Sequence, residues 1–220
     1  TFHVTPQPRV GEVTFTGLVA VTEEEMRAKL GELDRGLKFS EGDLRRGAER
    51  IYETLKERGY YQAAIEPKLK YDPLGTSVDI NFNVNAGKAA TVAAVNLPGQ
   101  SKIAEATLRT VIKTKIGAVF SQAQLNADVQ QLLAQHLAQR YLAAQIGPPD
   151  ITYNDAANTV AISLPIKSGP QFSVKVEGAS LTENKLRQLL PLMREGGLDA
   201  ATLDDSARRI SDYLQEEGYF

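Results

Sequence analysis

The chain has 220 residues, 42% of them apolar, and 25 Lys and Arg against 27 Asp and Glu leave a formal net charge of −2. That balance excludes the basic footprint of a nucleic-acid-binding protein and a polybasic membrane anchor, and no apolar run approaches the roughly 18 residues of a spanning helix. With no Cys in the chain, disulfide scaffolds, thiol catalysis and thiolate metal sites are excluded as well.

Phe2 and Val4 open the chain with a short alternating stretch, read as either the end of a preceding unit or an N-terminal arm over residues 1–8. Val13 and Phe15 then share one face of a strand that Gly17 closes. Thr22 with Glu25 three residues on is a capping box, and it starts a helix that carries Met26, Leu30 and Leu33. A second helix starts at Ser40. Its Leu44, Ala48, Ile51 and Leu55 recur at i, i+4, i+7 and i+11, one face of an α-helix. "ERGYYQAAI" ends that helix and leads into a strand from about Tyr61. The turn "DPLG" follows, then a last strand with Val78, Ile80, Phe82 and Val84 on one face and Asp79, Asn81, Asn83 and Asn85 on the other, up to Gly87.

The order then repeats. A shift of 81 residues carries Leu44, Ala48, Ile51 and Leu55 onto Leu125, Val129, Leu132 and His136, Gly36 onto Gly117, Phe39-Ser40 onto Phe120-Ser121, and Tyr60 onto Tyr141. "VTFTG", "VNLPG" and "VKVEG" end at Gly17, Gly99 and Gly178. Val160, Ile162, Leu164 and Ile166 repeat the last strand before Gly169. A third copy has Val174 and Val176 in its strand, Leu203, Ala207, Ile210 and Leu214 on its second helix, and then "GYF" at 218–220. The reading is a tandem βααββ array: repeats over 9–87 and 88–169, and over 170–220 a truncated repeat of one strand and two helices. Each complete unit is α+β, a three-stranded sheet with one apolar face for two helices to cover.

Nothing in the sequence carries catalysis. His3 and His136 are far apart, and His136 sits at an apolar-face position, read as a boundary-layer histidine. No H-E-x-x-H, G-x-S-x-G or G-K-[ST] occurs, so no enzyme, cofactor or metal site is expected. The βααβ core also invites comparison with KH nucleic-acid-binding domains, but the linkers between helices lack their GXXG loop.

What remains is backbone at sheet edges. Pro67, and Pro148 with Pro149, fall in the second strand of their units. Proline belongs on edge strands, which makes the second strand an edge. Two readings stay open: proline and lysine protect that edge against aggregation, or Tyr61–Ile65 and Ala143–Ile146 remain available for pairing. Gly87 and Gly169 act as hinges or simply turn the chain, with Pro170 stiffening the second link.

The repeated strand-Gly endings, the "FS" helix starts, the "ERGYYQAAI" junction and "INFNVNAG" make the chain resemble tandem POTRA (polypeptide-transport-associated) domains. Two departures stand out: Arg140 replaces the junction Gly, so that helix end is expected to differ, and Leu198-Asp199 replace "FS" in the third unit. The resemblance implies three-stranded mixed sheets, each covered on one face by two helices. It also implies a location at the periplasmic face of the outer membrane, in a parent protein with a C-terminal β-barrel of the BamA-like superfamily. The implied partners are unfolded outer-membrane proteins, accessory lipoproteins or periplasmic chaperones, and the chain's own barrel; nucleic acid is not among them. The implied role is assembly, with a polypeptide translocase arm (two-partner secretion or TamA-type) or a non-client-binding scaffold as alternatives. Carried onto this chain, the partner-binding edge residues are Tyr61, Ala63 and Ile65, then Ala144 and Ile146.

Overall fold

The structure is a computed structural model that describes residues 7–173, 181–190 and 200–219. The expected strand residues Phe2, Val4, Val174 and Val176, together with Gly178, Leu198-Asp199 and Phe220, lie outside the described residues. The chain divides into two compact units, one made of Thr1–Ala93, Gly117–Ala123 and Tyr153–Val160, the other of Ala94–Ile116, Gln124–Thr152 and Ala161–Phe220.

In the first unit, β1 (Arg9–Thr16), α1 (Glu23–Ala28), α2 (Glu41–Glu57), β2 (Ala64–Tyr71) and β3 (Ser77–Asn85) form one βααββ layer pair. The sheet order is β1-β3-β2, with β1 parallel and β2 antiparallel to β3. β3 is central, and its Val78, Ile80, Phe82 and Val84 are all buried. They meet Met26 of α1 and Leu44, Ile51 and Leu55 of α2; Leu30 and Leu33, expected on the same helix as Met26, join this core from beyond its end, Leu33 in a 3-10 turn over Gly31–Leu33. Burying such side chains is worth roughly 1.5–3 kcal/mol each, which makes this face the core. The opposite face stays polar, and Asn81 Nδ2 donates to Thr14 Oγ1 there at 2.9 Å. Both helix starts read from the sequence are made: Thr22 Oγ1 accepts from Glu25 N at 3.2 Å, and Ser40 Oγ from Gly42 N at 3.1 Å. Arg58 reaches from the end of α2 to Glu25 at 2.7 Å, and Arg50 pairs with Glu32.

The strand expected from about Tyr61 begins at Ala64. Tyr61 N donates to Gly59 O and Ala63 N to Tyr60 O. These local bonds hold residues 61–63 in a turn and keep them out of the ladder.

The middle repeat uses β4 (Thr91–Asn96), β5 (Gly99–Gln100), α3 (Glu105–Val111), α4 (Gln122–Ala138), β6 (Gln145–Ile146), β7 (Asp150–Asn154), β8 (Thr159–Ser163) and β9 (Ile166–Lys167). Where one sheet is read from the sequence, two appear, ordered β4-β8-β7 and β5-β9-β6. The interruptions fall at Pro98, at Pro148-Pro149 and at Pro165. Proline cannot donate to a ladder, so each of the three strands breaks at one. Bonds still bridge the break: Leu164 N reaches Asn96 O at 2.9 Å and Ile166 N reaches Pro98 O at 2.8 Å.

His136 differs from the sequence reading. It is fully buried, with Nδ1 at 2.7 Å from Leu132 O and Nε2 without a hydrogen-bond partner. The Nδ1 proton bonds back along α4, and Tyr141 packs at the ring with centroids 6.2 Å apart. Of the third repeat, α5 (Glu183–Leu189) and α6 (Ala200–Glu216) are described. Ile210 packs against Leu142 and Leu190, while Leu203, placed on the same apolar face by its spacing, is 46% exposed.

Phe82 is fully buried on the central strand and stacks on Phe15 with centroids 5.8 Å apart. Phe82→Ala is expected to cost the first repeat about 3–5 kcal/mol. Amide hydrogen exchange should speed up across β3 and stay unchanged in β8; equal loss in both strands would show that the repeats do not unfold separately.

Candidate strand-accepting edge

Asp72 N donates to Ser77 O at 3.0 Å. In an antiparallel ladder this direction alternates along the strand. The register pairs Ala64 with Asn85 and Tyr71 with Val78 without a shift. Counting back from Asp72, Lys70, Lys68, Glu66 and Ala64 turn their backbone groups toward β3. Tyr71, Leu69, Pro67 and Ile65 turn theirs away from the sheet. β2 is the edge strand, so Ile65, Leu69 and Tyr71 present free-facing N–H groups and all four residues present carbonyls. Pro67 falls on the outward set. Its missing N–H therefore costs the ladder nothing and removes one donor from the edge. The hairpin turn is held by Asp72: its Oδ1 accepts from Ser77 N at 2.8 Å and its Oδ2 from Thr76 Oγ1 at 3.0 Å. The Ser77 N–H bond holds the Asp72 carboxyl below its ordinary value.

Of the five residues read as partner-binding, Ile65 lies on β2 with outward backbone, and Tyr61 and Ala63 lie in the turn ahead of it. In the second repeat Gly147 N donates to Pro165 O at 2.8 Å, which by the same alternation leaves Ile146 facing out. Ala144 N is taken by Tyr141 O in a turn. The edge there is broken after two residues, whereas β2 runs for eight.

Tyr61 has a further setting that its residue type did not announce. Inside the first unit its ring stacks on Tyr153, centroids 4.4 Å apart and 11° between planes, and tilts against Phe120 at 5.9 Å. Next to it Gln62 Nε2 donates to Asp155 Oδ1 at 3.1 Å, and Tyr52 Oη donates to Tyr61 O at 3.1 Å. Gly59, at φ +93, accepts from Ala90 N at 2.8 Å, and an added Cβ there would stand 2.8 Å from the Phe120 carbonyl oxygen. Burial, foremost, and the nearby Tyr52, Glu53 and Tyr153 raise the Tyr61 hydroxyl above its ordinary value of 10.0.

The second unit repeats this joint with other side chains. Arg140 takes the place of Gly59 at φ +66. The helix end expected to differ does not: Arg140 N donates to Leu137 O and Tyr141 N to His136 O, matching Gly59 N to Lys56 O and Tyr60 N to Leu55 O. Phe172 N donates to Arg140 O at 2.9 Å, as Ala90 N does to Gly59 O. These bonds hold a non-glycine residue in the left-handed region at a cost of about 1–2 kcal/mol. Leu142, in register with Tyr61, is buried against Leu190, Leu186 and Phe172. Gly87 and Gly169, read as hinges, take φ +67 and +68.

A buried carboxylate also escaped the sequence reading. Asp128 accepts from Lys113 N at 2.9 Å, Thr114 N at 2.8 Å and Gln124 Nε2 at 3.0 Å. It occupies the position of Gly47 in the first repeat, and the donors mark it as a loop anchor. Among the described residues no cluster of His, Cys, Asp or Glu could hold a metal ion, and no helix is long and apolar enough to cross a membrane.

The family model for POTRA, described as "surface antigen variable number repeat", matches residues 8–87, 90–169 and 173–220. The chain belongs to the POTRA family. Among curated proteins it is similar to a putative outer membrane protein assembly factor of Treponema pallidum, 21% identical over 231 residues. That alignment takes in 99% of this chain and 27% of the relative, so the chain spans about a quarter of that protein's length. Among solved structures it is similar to POTRA3–5 of BamA from Haemophilus influenzae, with 19% identity, TM-score 0.47, and coverage of 99% of this chain and 90% of that one. It is also similar to POTRA1–3 of the periplasmic domain of Omp85 from Anabaena, with 15% identity, TM-score 0.43, and coverage of 94% and 86%.

Gly59→Ala should destabilise the first unit by more than about 1 kcal/mol, since it combines a left-handed backbone with a backbone clash; a neutral result in denaturant unfolding would dissolve this account of the joint. Tyr61 should ionise above its ordinary value in an ultraviolet pH titration. Because its folded pKa is raised, its contribution is complete below the unfolded value and is lost as pH rises through the folded one. Tyr61→Phe, which keeps the stack, should leave the unfolding midpoint near neutral pH almost unchanged, and Tyr61→Ala should lower it.

Proposed function

We propose that this chain is a periplasmic POTRA arm of an outer-membrane protein assembly factor. It receives unfolded outer-membrane proteins as extended segments that add to the open edge of β2. It also scaffolds partner subunits, accessory lipoproteins or periplasmic chaperones, for insertion by a C-terminal β-barrel of the parent protein. Family membership and the name of the Treponema relative support the assembly setting. The observation that carries the strand-accepting role is the alternation in β2, which leaves Ile65, Leu69 and Tyr71 with outward N–H groups on an eight-residue edge.

Backbone pairing reads no side-chain sequence, so one edge takes many clients, and it holds each weakly enough to pass on. Ile65 belongs to this site in the first repeat, and Ile146 offers a shorter copy in the second. Tyr61, Ala63 and Ala144 flank these edges and set where an added strand has to end. The stack on Tyr153 gives the first edge a fixed end, which suits delivery in one register. No catalytic step is assigned to the chain.

Titration with an uncharged extended peptide, followed by amide resonances, tests this. The outward amides of Ile65, Leu69 and Tyr71 should shift and gain exchange protection, and the inward amides of Lys68 and Lys70 should keep theirs. If no β2 amide moves at millimolar peptide, the arm is a scaffold that does not hold clients at this edge.

A further inference from the structure

We propose that the first repeat carries a second peptide-accepting edge, on β1, and that in the second repeat the equivalent edge is closed by Arg109. The proposal extends the strand-accepting reading to an edge on the other side of the sheet, and it stands on separate observations.

β1 is the opposite edge of the β1-β3-β2 sheet. Its first half is already paired on the outer side by the chain itself. Val10 N donates to Leu37 O and Gly36 N to Val10 O, both at 2.8 Å, while Arg9 and Lys38 form an antiparallel bridge. The edge therefore accepts an extended antiparallel segment in the native fold. The pairing stops at a register shift between Val10 and Val13, where Glu12 N turns to Asp79 Oδ1 at 2.8 Å.

Beyond the shift, Val13 and Phe15 face outward. The middle repeat gives the direction: Asn96, in register with Thr14, accepts from Leu164, which directly follows the central strand β8, whereas the carbonyl of Val95, in register with Val13, points out to Arg109 Nη2 at 3.1 Å. In the first repeat the matching arginine is Arg27. It bonds Glu23 at 2.7 Å and lies 5.8 Å over the Phe15 ring.

A groove opens beside each of these edges, about 390 Å³ in the first repeat and about 230 Å³ in the second. The larger has an apolar floor of Val13, Leu30 and Leu33. Its rim holds Glu12 and Asp34 against Arg27 and Arg35. Two acids and two bases cancel, so the rim selects no charged ligand. Free-facing backbone, an apolar floor and a neutral rim together fit one occupant: an uncharged extended peptide that pairs with Val13–Phe15 and lowers an apolar side chain onto Leu30 and Leu33. In the second repeat Arg109 already satisfies the Val95 carbonyl, and the groove is smaller.

The test uses the whole chain, an uncharged peptide of alternating valine and threonine, and both amide and methyl resonances. The Val13 and Phe15 amides and the Leu30 and Leu33 methyls should shift together and saturate with one affinity, with Val95 and Ile112 unmoved. Arg109 is an exposed side chain, so Arg109→Ala should fold and bring Val95 and Ile112 into the set of shifted residues. Unmoved Val13, Phe15, Leu30 and Leu33 at millimolar peptide would overturn the open edge. An Arg109→Ala chain whose Val95 and Ile112 stay still would overturn the closing role of that arginine. Ile65, Leu69 and Tyr71 report β2 in the same spectra, so failure of one edge is read apart from failure of the other.

Discussion

The bond from Asp72 N to Ser77 O sets the direction of every backbone group in β2. Once it is made, and with no shift in the register up to Ala64, the strand has one set of residues committed to the sheet and another turned outward. The side chains follow from the same choice. Ile65 and Leu69 pack on the helix-covered core while their N–H groups face out. A strand added here would pair with residues whose side chains are already anchored, so its binding needs no ordering of the edge itself. Pro67 is compatible with this parity alone, because one residue either way it would remove a bond from the sheet.

A second constraint sits at the end of the second helix in the first two repeats. The residue after the helix turns left-handed, and its carbonyl takes the first backbone N–H of the next segment: Ala90 to Gly59, and Phe172 to Arg140. The backbone pattern is the same at the two joints while the side chains differ. Tyr61 brings a stack and neighbouring polar bonds, and Leu142 brings an aliphatic cluster. A joint built mainly on main-chain geometry tolerates such exchange, which is how an array keeps its connection as its sequence drifts. Around Tyr61 the joint and the candidate edge share a turn, so anything that loosens one alters where the other begins.

The repeat and its α+β layering were legible in the sequence, because alternation in Val78–Val84 and the spacing of Leu44, Ala48, Ile51 and Leu55 report burial directly. Helix starts at Thr22 and Ser40 were legible for a similar reason, since a cap is a local bond. The start of β2 was not. "YYQAA" has strand-forming residues, but the turn bonds from Tyr61 N to Gly59 O and Ala63 N to Tyr60 O, together with the contacts of Tyr61 with Tyr153 and Phe120, hold its start out of the ladder. The left-handed Arg140 was hidden because its propensity argues against the conformation that its neighbours impose. The splitting of the middle sheet had a visible signal in Pro98, Pro148, Pro149 and Pro165, but reading it requires knowing that all three breaks line up across the sheet. Asp128 looked like any helix-surface acid until the loop amides of Lys113 and Thr114 closed over it.

The proposed pairing of an extended client with the backbone of β2 can be measured directly. An isotope-filtered Overhauser spectrum of the chain bound to an unlabelled-background extended peptide examines that contact directly. Backbone-to-backbone contacts are expected from the peptide to Ile65, Leu69 and Tyr71, with Pro67 filling the remaining place in the outward alternation. Contacts confined to side chains of α2, with none to the β2 backbone, would contradict the pairing.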